Sequence, residues 1–261
     1  MVPVQQHLDS AVEAALLAGS YQRHRFATPV EVGMKGDKNL VTEVDRESER
    51  LIVSRILTAF PGSSIIAEEG EYPPGDSCCW IIDPLDGTTN FTHGFPWFCV
   101  SIGLQIDGEL TAGVIYNPMN AELFTAVRGE GARLNGRRLQ VSRRAPLRDS
   151  LLGTGFPYDC AHDPDNNFDH FISFQKEARG IRRAGAAALD LAYVAAGRLD
   201  GFWELKLKPW DIAAGILLVR EAGGCVTSFD GSDHDAFDHR IVASNGLIHH
   251  EMTAMLSGGR T

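Results

Sequence analysis

Between Trp80 and Phe91 the chain reads Trp-Ile-Ile-Asp-Pro-Leu-Asp-Gly-Thr-Thr-Asn-Phe, an apolar run that ends in two carboxylates three residues apart. The run reads as a buried strand that delivers Asp83. Pro84 then removes a backbone donor, and Asp86 precedes Gly87, Thr88 and Thr89, which can begin a helix. On such a strand-to-helix turn the two acids can converge on one point. The Leu85 carbonyl between them adds a third oxygen, and hard cations prefer oxygen ligands. Past Gly87, free N–H groups at a helix start favour phosphate.

Two more acids stand at similar junctions. The run Ser64-Ile65-Ile66-Ala67 ends in Glu68, and Asp211 follows Trp210 at the start of an apolar helical stretch. An acid in a first helical turn can simply serve the helix dipole, for about 0.3–1 kcal/mol. Four acids gathered at element junctions point further, because clustering them is unfavourable unless cations neutralise them. The chemistry this suggests is metal-assisted hydrolysis of a phosphate. A phosphoaspartate scheme built on a DxDGT turn fits less well, since these acids are three positions apart rather than two. There is no GxSxG motif, and His162, His249 and His250 lie in polar surroundings, as surface histidines do.

The elements that must hold these acids follow from periodicity. Apolar residues recur at helical spacing from residue 4 to about 24, and a second amphipathic helix is predicted from Asp45 through Phe60, with Thr42 and Asp45 spaced as a capping box. Residues 98–141 alternate like strands and are broken at Asp107-Gly108, Asn117-Pro118 and Asn135-Gly136, which predicts an antiparallel meander. Helices and strands then alternate: helices at 168–178, 186–196, 210–222 and 247–256, strands at 181–183, 201–205, 225–229 and 241–244. The expectation is one composite α/β domain over 1–261 with a soft subdivision near Ser150.

Composition narrows the function classes. Of 261 residues, 34 are acidic and 24 are Lys or Arg, for a net charge of -10 that disfavours nucleic acid unless the basic residues are segregated. Arg128, Arg133, Arg137, Arg138, Arg143, Arg144 and Arg148 do fall in one span, where either solvated hairpin turns or a binding patch is conceivable. An acidic enzyme acting on an anion needs positive charge from elsewhere, and bound metal supplies it. Five cysteines, two of them adjacent and none in a CxxC pair, suit reduced thiols. No apolar stretch approaches 18 residues and no basic region precedes an apolar run at the amino terminus, so a cytoplasmic protein without a membrane span is expected.

Five segments together resemble the inositol monophosphatases, especially their bacterial branch: AEEG (67–70), WIIDPLDGTTNF (80–91), FPWFCVSIGL (95–104), RRAGAAALDLAYVAAGRLDGFWE (182–204) and PWDIAAGILLVREAGG (209–224). The resemblance implies a layered αβαβα sandwich of the inositol monophosphatase and fructose-1,6-bisphosphatase type, often a homodimer. The implied activity is Mg²⁺-dependent hydrolysis of small phosphate monoesters, inhibited by Li⁺, with two to three ions per site. It further implies that Glu68, Asp83 and the Leu85 carbonyl hold one Mg²⁺ and that Asp83, Asp86 and Asp211 hold a second, while a weaker third shares Glu68. Thr88 and Asp45 would orient and deprotonate the attacking water, Gly87 and Thr88 amides would hold phosphate, and substrate hydroxyls would meet Glu204, Asp86 and the backbone at Gly185, Ala186 and Ala187. Without the resemblance, Asp45 reads as a helix-start acid.

The sequence departs from that pattern in two places. The family's loop lysine ahead of Asp45 corresponds to Lys35 or Lys38, and Lys206 stands where a small residue is expected. Strand alternation would place Glu204, Lys206 and Lys208 on one face, where a lysine could pair with a second phosphate. Inositol-1-monophosphatase is therefore the expected activity. The alternatives are fructose-1,6-bisphosphatase, another sugar or nucleotide phosphatase, and a regulatory RNA- or protein-binding role through the arginine-rich span.

Overall fold

The structure, a computed structural model, describes residues 2–34 and 40–258; Lys35 and Lys38 lie outside them. The chain opens with helix α1 (Val4–Arg25), strands β1 (Val32–Met34) and β2 (Leu40–Thr42), and helix α2 (Glu43–Ala59). Then come β3 (Ser64–Ala67), β4 (Cys78–Asp86), the short helix α3 (Thr88–Thr92), and the meander β5 (Cys99–Ile106), β6 (Glu109–Asn117), β7 (Glu122–Val127), β8 (Gly131–Leu134) and β9 (Arg137–Arg138). The second half runs β10 (Leu151–Thr154), α4 (Phe168–Glu177), β11 (Gly180–Arg182), α5 (Ala187–Ala195), β12 (Gly201–Leu205), α6 (Pro209–Glu221), β13 (Cys225–Thr227), β14 (Arg240–Ser244) and α7 (His249–Ser257).

Strands β3 to β9 form one sheet in sequence order, antiparallel except for the parallel β3–β4 pair, and the second sheet has the order β11-β10-β12-β14-β13. Hydrophobic contacts stack these into five layers. Ala11, Ala14 and Ala18 of α1 and Ile52 and Ile56 of α2 pack on Trp80, Ile82, Ile102 and Val114 of the first sheet. Helices α5 and α6 are buried almost all round between the two sheets, and α4 and α7 cover the outer face of the second through Phe174, Trp203, Ile248 and Met252. The result is the expected αβαβα sandwich. Residue 150 separates the sheets, but the α5–α6 layer packs into both.

Several element boundaries differ from the periodicity. Helix α2 starts at Glu43, because Thr42 caps it and Asp45 is its third residue. The helix therefore begins two residues before the expected Asp45. At two of the meander's turns, Asp107-Gly108 and Asn135-Gly136, both residues have positive φ, as the tight hairpin turn requires. Strand β10 has no counterpart in the pattern reading, since Leu-Leu-Gly-Thr is too short to show a period. It lies between β11 and β12, parallel to both.

The small residues of α6 set its separation from the first sheet. A Cβ added at Gly113 would lie 3.0 Å from the Ala214 carbonyl oxygen and 3.1 Å from its Cα, and one at Gly103 would lie 2.9 Å from Ala213 Cβ. Helix backbone and sheet backbone thus touch with almost no side chain between them, and Ser101 Oγ donates to the Trp210 carbonyl at 3.2 Å. Because α6 begins beside Asp211 while β5 pairs with β4, this contact fixes how far Asp211 stands from Asp83 and Asp86. Gly113→Ala should destabilise the protein by about 1–3 kcal/mol, since backbone rather than a flexible side chain must give way. The check is a thermal melt beside a phosphatase assay. An unchanged melting temperature would show that the gap is slack.

Candidate active site

A register shift in β4 aims the two acids. Asp83 pairs with Ser101 and Asp86 with Cys99, so three steps on one strand match two on its neighbour. The extra residue is a bulge, and Pro84, which has no N–H to leave unpaired, sits inside it. Gln22 of α1, fully buried, donates to the Pro84 carbonyl at 2.6 Å and to Ser48 Oγ at 3.2 Å. That bond holds the Pro84 oxygen toward α1. The Leu85 N–H turns back onto Asp83 Oδ1 at 2.9 Å.

Gly87 follows with φ +97°, and a Cβ there would lie 2.9 Å from the Trp97 carbonyl oxygen. Only glycine suits that combination of left-handed backbone and close approach. The helix it starts is five residues long, so an anion placed there would meet local amides rather than a long dipole. Asn90 ties this turn to the 184–185 loop, donating to the carbonyls of Trp97 (2.7 Å), Ala184 (2.9 Å) and Gly185 (3.3 Å).

Asp45 engages a different partner with each of its oxygens. Its Oδ2 accepts from the Thr42 N–H at 2.8 Å and the Thr42 hydroxyl at 2.5 Å, completing the capping box. Its Oδ1 accepts from Thr88 Oγ1 at 2.7 Å. Burial raises the pKa of this fully buried carboxyl, against the lowering effect of those hydrogen bonds. The Thr88 hydroxyl also lies 3.2 Å from the Leu85 carbonyl.

The remaining acids crowd together. Asp83 is pushed well above the carboxylate range by burial and then by Glu68, Asp86 and Asp211. Asp86 rises for the same reasons, burial first and then Asp211 and Glu68, although the Ala187 and Ala188 amides counter the shift. The Ala188 N–H donates to Asp86 Oδ2 at 2.8 Å, and Asp211 Oδ2 accepts from the Lys208 N–H at 2.7 Å. Glu204, on β12, is raised by burial beside Asp190 and Asp211, with Arg183 opposing. Among the described residues no three His, Cys, Asp or Glu side chains are drawn into a closed metal centre. What gathers is like charge on oxygen donors, a set that fits a hard divalent cation.

Of the residues singled out in the sequence, Glu68, Asp83, Asp86 and Asp211 share one electrostatic neighbourhood, with Asp45 and Thr88 joined to it through the Leu85 turn. Glu204 joins it from β12, and Gly185, Ala186 and Ala187 lead into α5 beside Asp86. Lys206 is not where strand alternation put it. Strand β12 ends at Leu205, and Lys206 turns to φ +62° and reaches Asp159 (2.9 and 3.0 Å) and Asp163 (2.6 Å). His249 is also half-buried rather than a surface residue, bonded to Thr227 and Ser244 at 2.9 Å each. Gln22, Asn90 and Ala188 were not legible as site residues. They act across many residues of sequence, and only the dense polar turn around Asn90 hinted at a structural duty.

The family model described as the inositol monophosphatase family matches residues 4–258. The chain is 48% identical over 257 residues to the inositol-1-monophosphatase of Synechocystis sp., covering 97% of this chain and 90% of that protein. It is also 48% identical over 250 residues to a Pseudomonas aeruginosa protein named Nus factor SuhB, with 93% and 92% covered. The solved inositol monophosphatase of Anabaena (Nostoc) sp. superposes with a TM-score of 0.88 at 43% identity, over 98% of this chain and 96% of that one.

Proposed function

The chain belongs to the inositol monophosphatase family, and we propose that it hydrolyses myo-inositol 1-phosphate or a closely similar polyol monophosphate, with Mg²⁺ held by Glu68, Asp83, the Leu85 carbonyl, Asp86 and Asp211. Two to three such ions, lithium sensitivity, a homodimer and a cytoplasmic setting belong to the same proposal. Among the described residues no helix is long and apolar enough to cross a membrane, and all five cysteines are free thiols.

The observation that carries the reading is the bond from Thr88 to Asp45 beside the acid cluster. A hydroxyl that gives its proton to a buried carboxylate leaves its lone pairs for a water on the other side. Thr88 therefore orients that water, and Asp45, its basicity raised by burial, accepts the proton passed on through Thr88. Divalent cations on the oxygen donors would polarise the phosphate and acidify the water. Gly87 and Thr88 amides meet phosphate oxygens. Glu204 and Asp86, with the backbone at Gly185, Ala186 and Ala187, meet the hydroxyls of the leaving polyol. No covalent phosphoenzyme is needed, and an acid quench should trap none.

Substrate choice turns on Lys206. Its ammonium is engaged by two aspartates, so it is not poised to pair with a second phosphate. The kcat/KM for myo-inositol 1-phosphate should exceed that for fructose 1,6-bisphosphate by about tenfold or more, a difference of roughly 1.4 kcal/mol in transition-state binding. A malachite-green assay of both reports this directly, and preference for the bisphosphate would overturn it.

A second reading rests on the relative named Nus factor SuhB. Arg133, Arg137, Arg138, Arg143 and Arg148 lie exposed on one span, which suits a regulatory RNA or protein contact, whereas Arg128 and Arg144 pair with Glu109 and Asp200. Such a role would persist in Asp86→Asn, in which catalysis would not.

A further inference from the structure

Helix α2 buries three polar side chains on one face. Asp45, Ser48 and Glu49 stand at the i, i+3, i+4 spacing that brings side chains together, and none is more than 3% exposed. One turn further the face becomes apolar, with Ile52, Val53 and Ile56 in the core. A buried polar group is unfavourable unless it is hydrogen-bonded, so each of the three must answer to a partner. Asp45 takes the Thr88 hydroxyl, and Ser48 takes Gln22, which also holds the Pro84 carbonyl. Glu49 is the one that the mechanism leaves unused.

Its two oxygens meet the turn that follows β3. Oε2 accepts from the Glu69 N–H at 2.9 Å, and Oε1 accepts from the Tyr72 hydroxyl at 2.8 Å. Between those residues lies Gly70, where a Cβ would stand 2.7 Å from Glu49 Oε1 and 2.9 Å from the Tyr72 hydroxyl oxygen. The turn thus wraps the Glu49 carboxyl with no room for a side chain at position 70. On the other side, the Glu68 N–H donates to the Ile82 carbonyl at 3.2 Å, which carries the parallel β3–β4 pairing one residue past the strand. Glu68 is therefore held by two consecutive N–H bonds, its own to the strand that carries Asp83 and its neighbour's to the helix that carries Asp45. The two peptide planes flank the Glu68 Cα, so their directions fix where its side chain points.

We propose that Glu49 is a positioning residue for metal affinity: by holding the Glu69 N–H it aims the Glu68 carboxylate at the cation that Glu68 shares with Asp83. It acts only through Glu68. The metal half of this inference rests on the phosphatase reading, in which Glu68 is a Mg²⁺ ligand, while the hold on the turn does not. A hold made of hydrogen bonds is separable from one made of charge, because glutamine can keep both bonds. Its Oε1 can accept from the Glu69 N–H, and its Nε2 can donate to a Tyr72 oxygen whose hydroxyl has turned away.

The test compares the parent enzyme with Glu49→Ala, Glu49→Gln and Gly70→Ala, the last of which displaces Glu49 and Tyr72 while leaving both in the chain. The Mg²⁺ dissociation constant from titration calorimetry should rise by about tenfold in Glu49→Ala and in Gly70→Ala, and the Mg²⁺ concentration for half-maximal phosphate release should rise with it. At saturating Mg²⁺ the kcat should return to within about threefold of the parent, with the KM for myo-inositol 1-phosphate within about twofold, because no substrate contact has changed. Glu49→Gln should bind Mg²⁺ within about threefold of the parent. Exchange of the Glu69 amide hydrogen should quicken by about tenfold in Glu49→Ala and stay slow in Glu49→Gln. A lowered melting temperature at unchanged Mg²⁺ affinity would reduce Glu49 to a support of the fold and overturn the proposal. Glutamine behaving like alanine would overturn it too, by showing that charge rather than the bond matters. Should Glu49→Ala fail to fold, Gly70→Ala and Glu49→Gln decide the same question. A parent that binds no Mg²⁺ and releases no phosphate would sink the phosphatase reading and the metal half with it, and Glu69 exchange would still decide the hold on the turn.

Discussion

Removal of divalent metal with EDTA should abolish phosphate release, and added Mg²⁺ should restore it. Phosphate-monoester hydrolysis is among the slowest reactions known without a catalyst, with enzymatic accelerations of up to about 10²¹. A cleft of carboxylates alone repels the substrate. Asp83 and Asp86 already sit well above the usual carboxylate range because burial and their neighbours oppose ionisation. In the metal-free protein that opposition weakens the fold above the carboxylates' unfolded-state pKa and is relieved as falling pH protonates them. Bound cation reverses the balance by favouring the charged forms. Mg²⁺ should therefore raise the melting temperature near neutral pH, and the gain should shrink toward about pH 5, where protons compete for the same oxygens. Full activity in metal-free buffer would contradict this account, as would a melting temperature indifferent to Mg²⁺ at neutral pH.

Asp83→Asn should lose more activity than Asp45→Asn. An amide at position 45 still has an oxygen for Thr88 or for the Thr42 cap, but it cannot take a proton, and loss of such a group typically costs about 10²–10⁴ in rate. An amide at position 83 removes a charge proposed to be shared by two ions, while its oxygen can still accept from the Leu85 N–H that shapes the turn. The fold survives and the cation sites do not, so the residual rate should lie about tenfold or more below that of Asp45→Asn. Single-turnover rates at saturating Mg²⁺ make the comparison, with circular dichroism to verify folding. Equal residual rates would remove Asp83 from its bridging place.

The junction acids were legible because each stands where an apolar run ends or begins, a pattern that local physics imposes. So were the αL turns at Asp107-Gly108 and Asn135-Gly136, whereas periodicity gave only a composite α/β domain and the five layers came from the family resemblance. The bulge at Pro84 was half-legible: the proline signalled an irregularity, but only pairing with β5 shows that one residue is extra. Contacts made across the fold left no local trace. Gln22 reaches Pro84, Asn167 joins Thr154 to Trp203, and the Ala188 amide meets Asp86, and none of these residues has a type or spacing that announces its partner. Lys206 misled for a definite reason. Period-two alternation holds only while the backbone stays extended, and the chain leaves the strand one residue before it.

Asp45 spends one oxygen on the start of a helix and the other on Thr88, which matters to anyone redesigning this protein for robustness. Capping boxes commonly carry Glu or Gln at this position, so a search that ranks variants by folding alone would treat residue 45 as interchangeable with either. Both longer side chains could close the box on Thr42, but Glu would move its second oxygen away from the Thr88 hydroxyl and Gln has no second oxygen to offer. Libraries built on this scaffold would then be enriched in well-behaved, inert proteins, unless position 45 is held fixed.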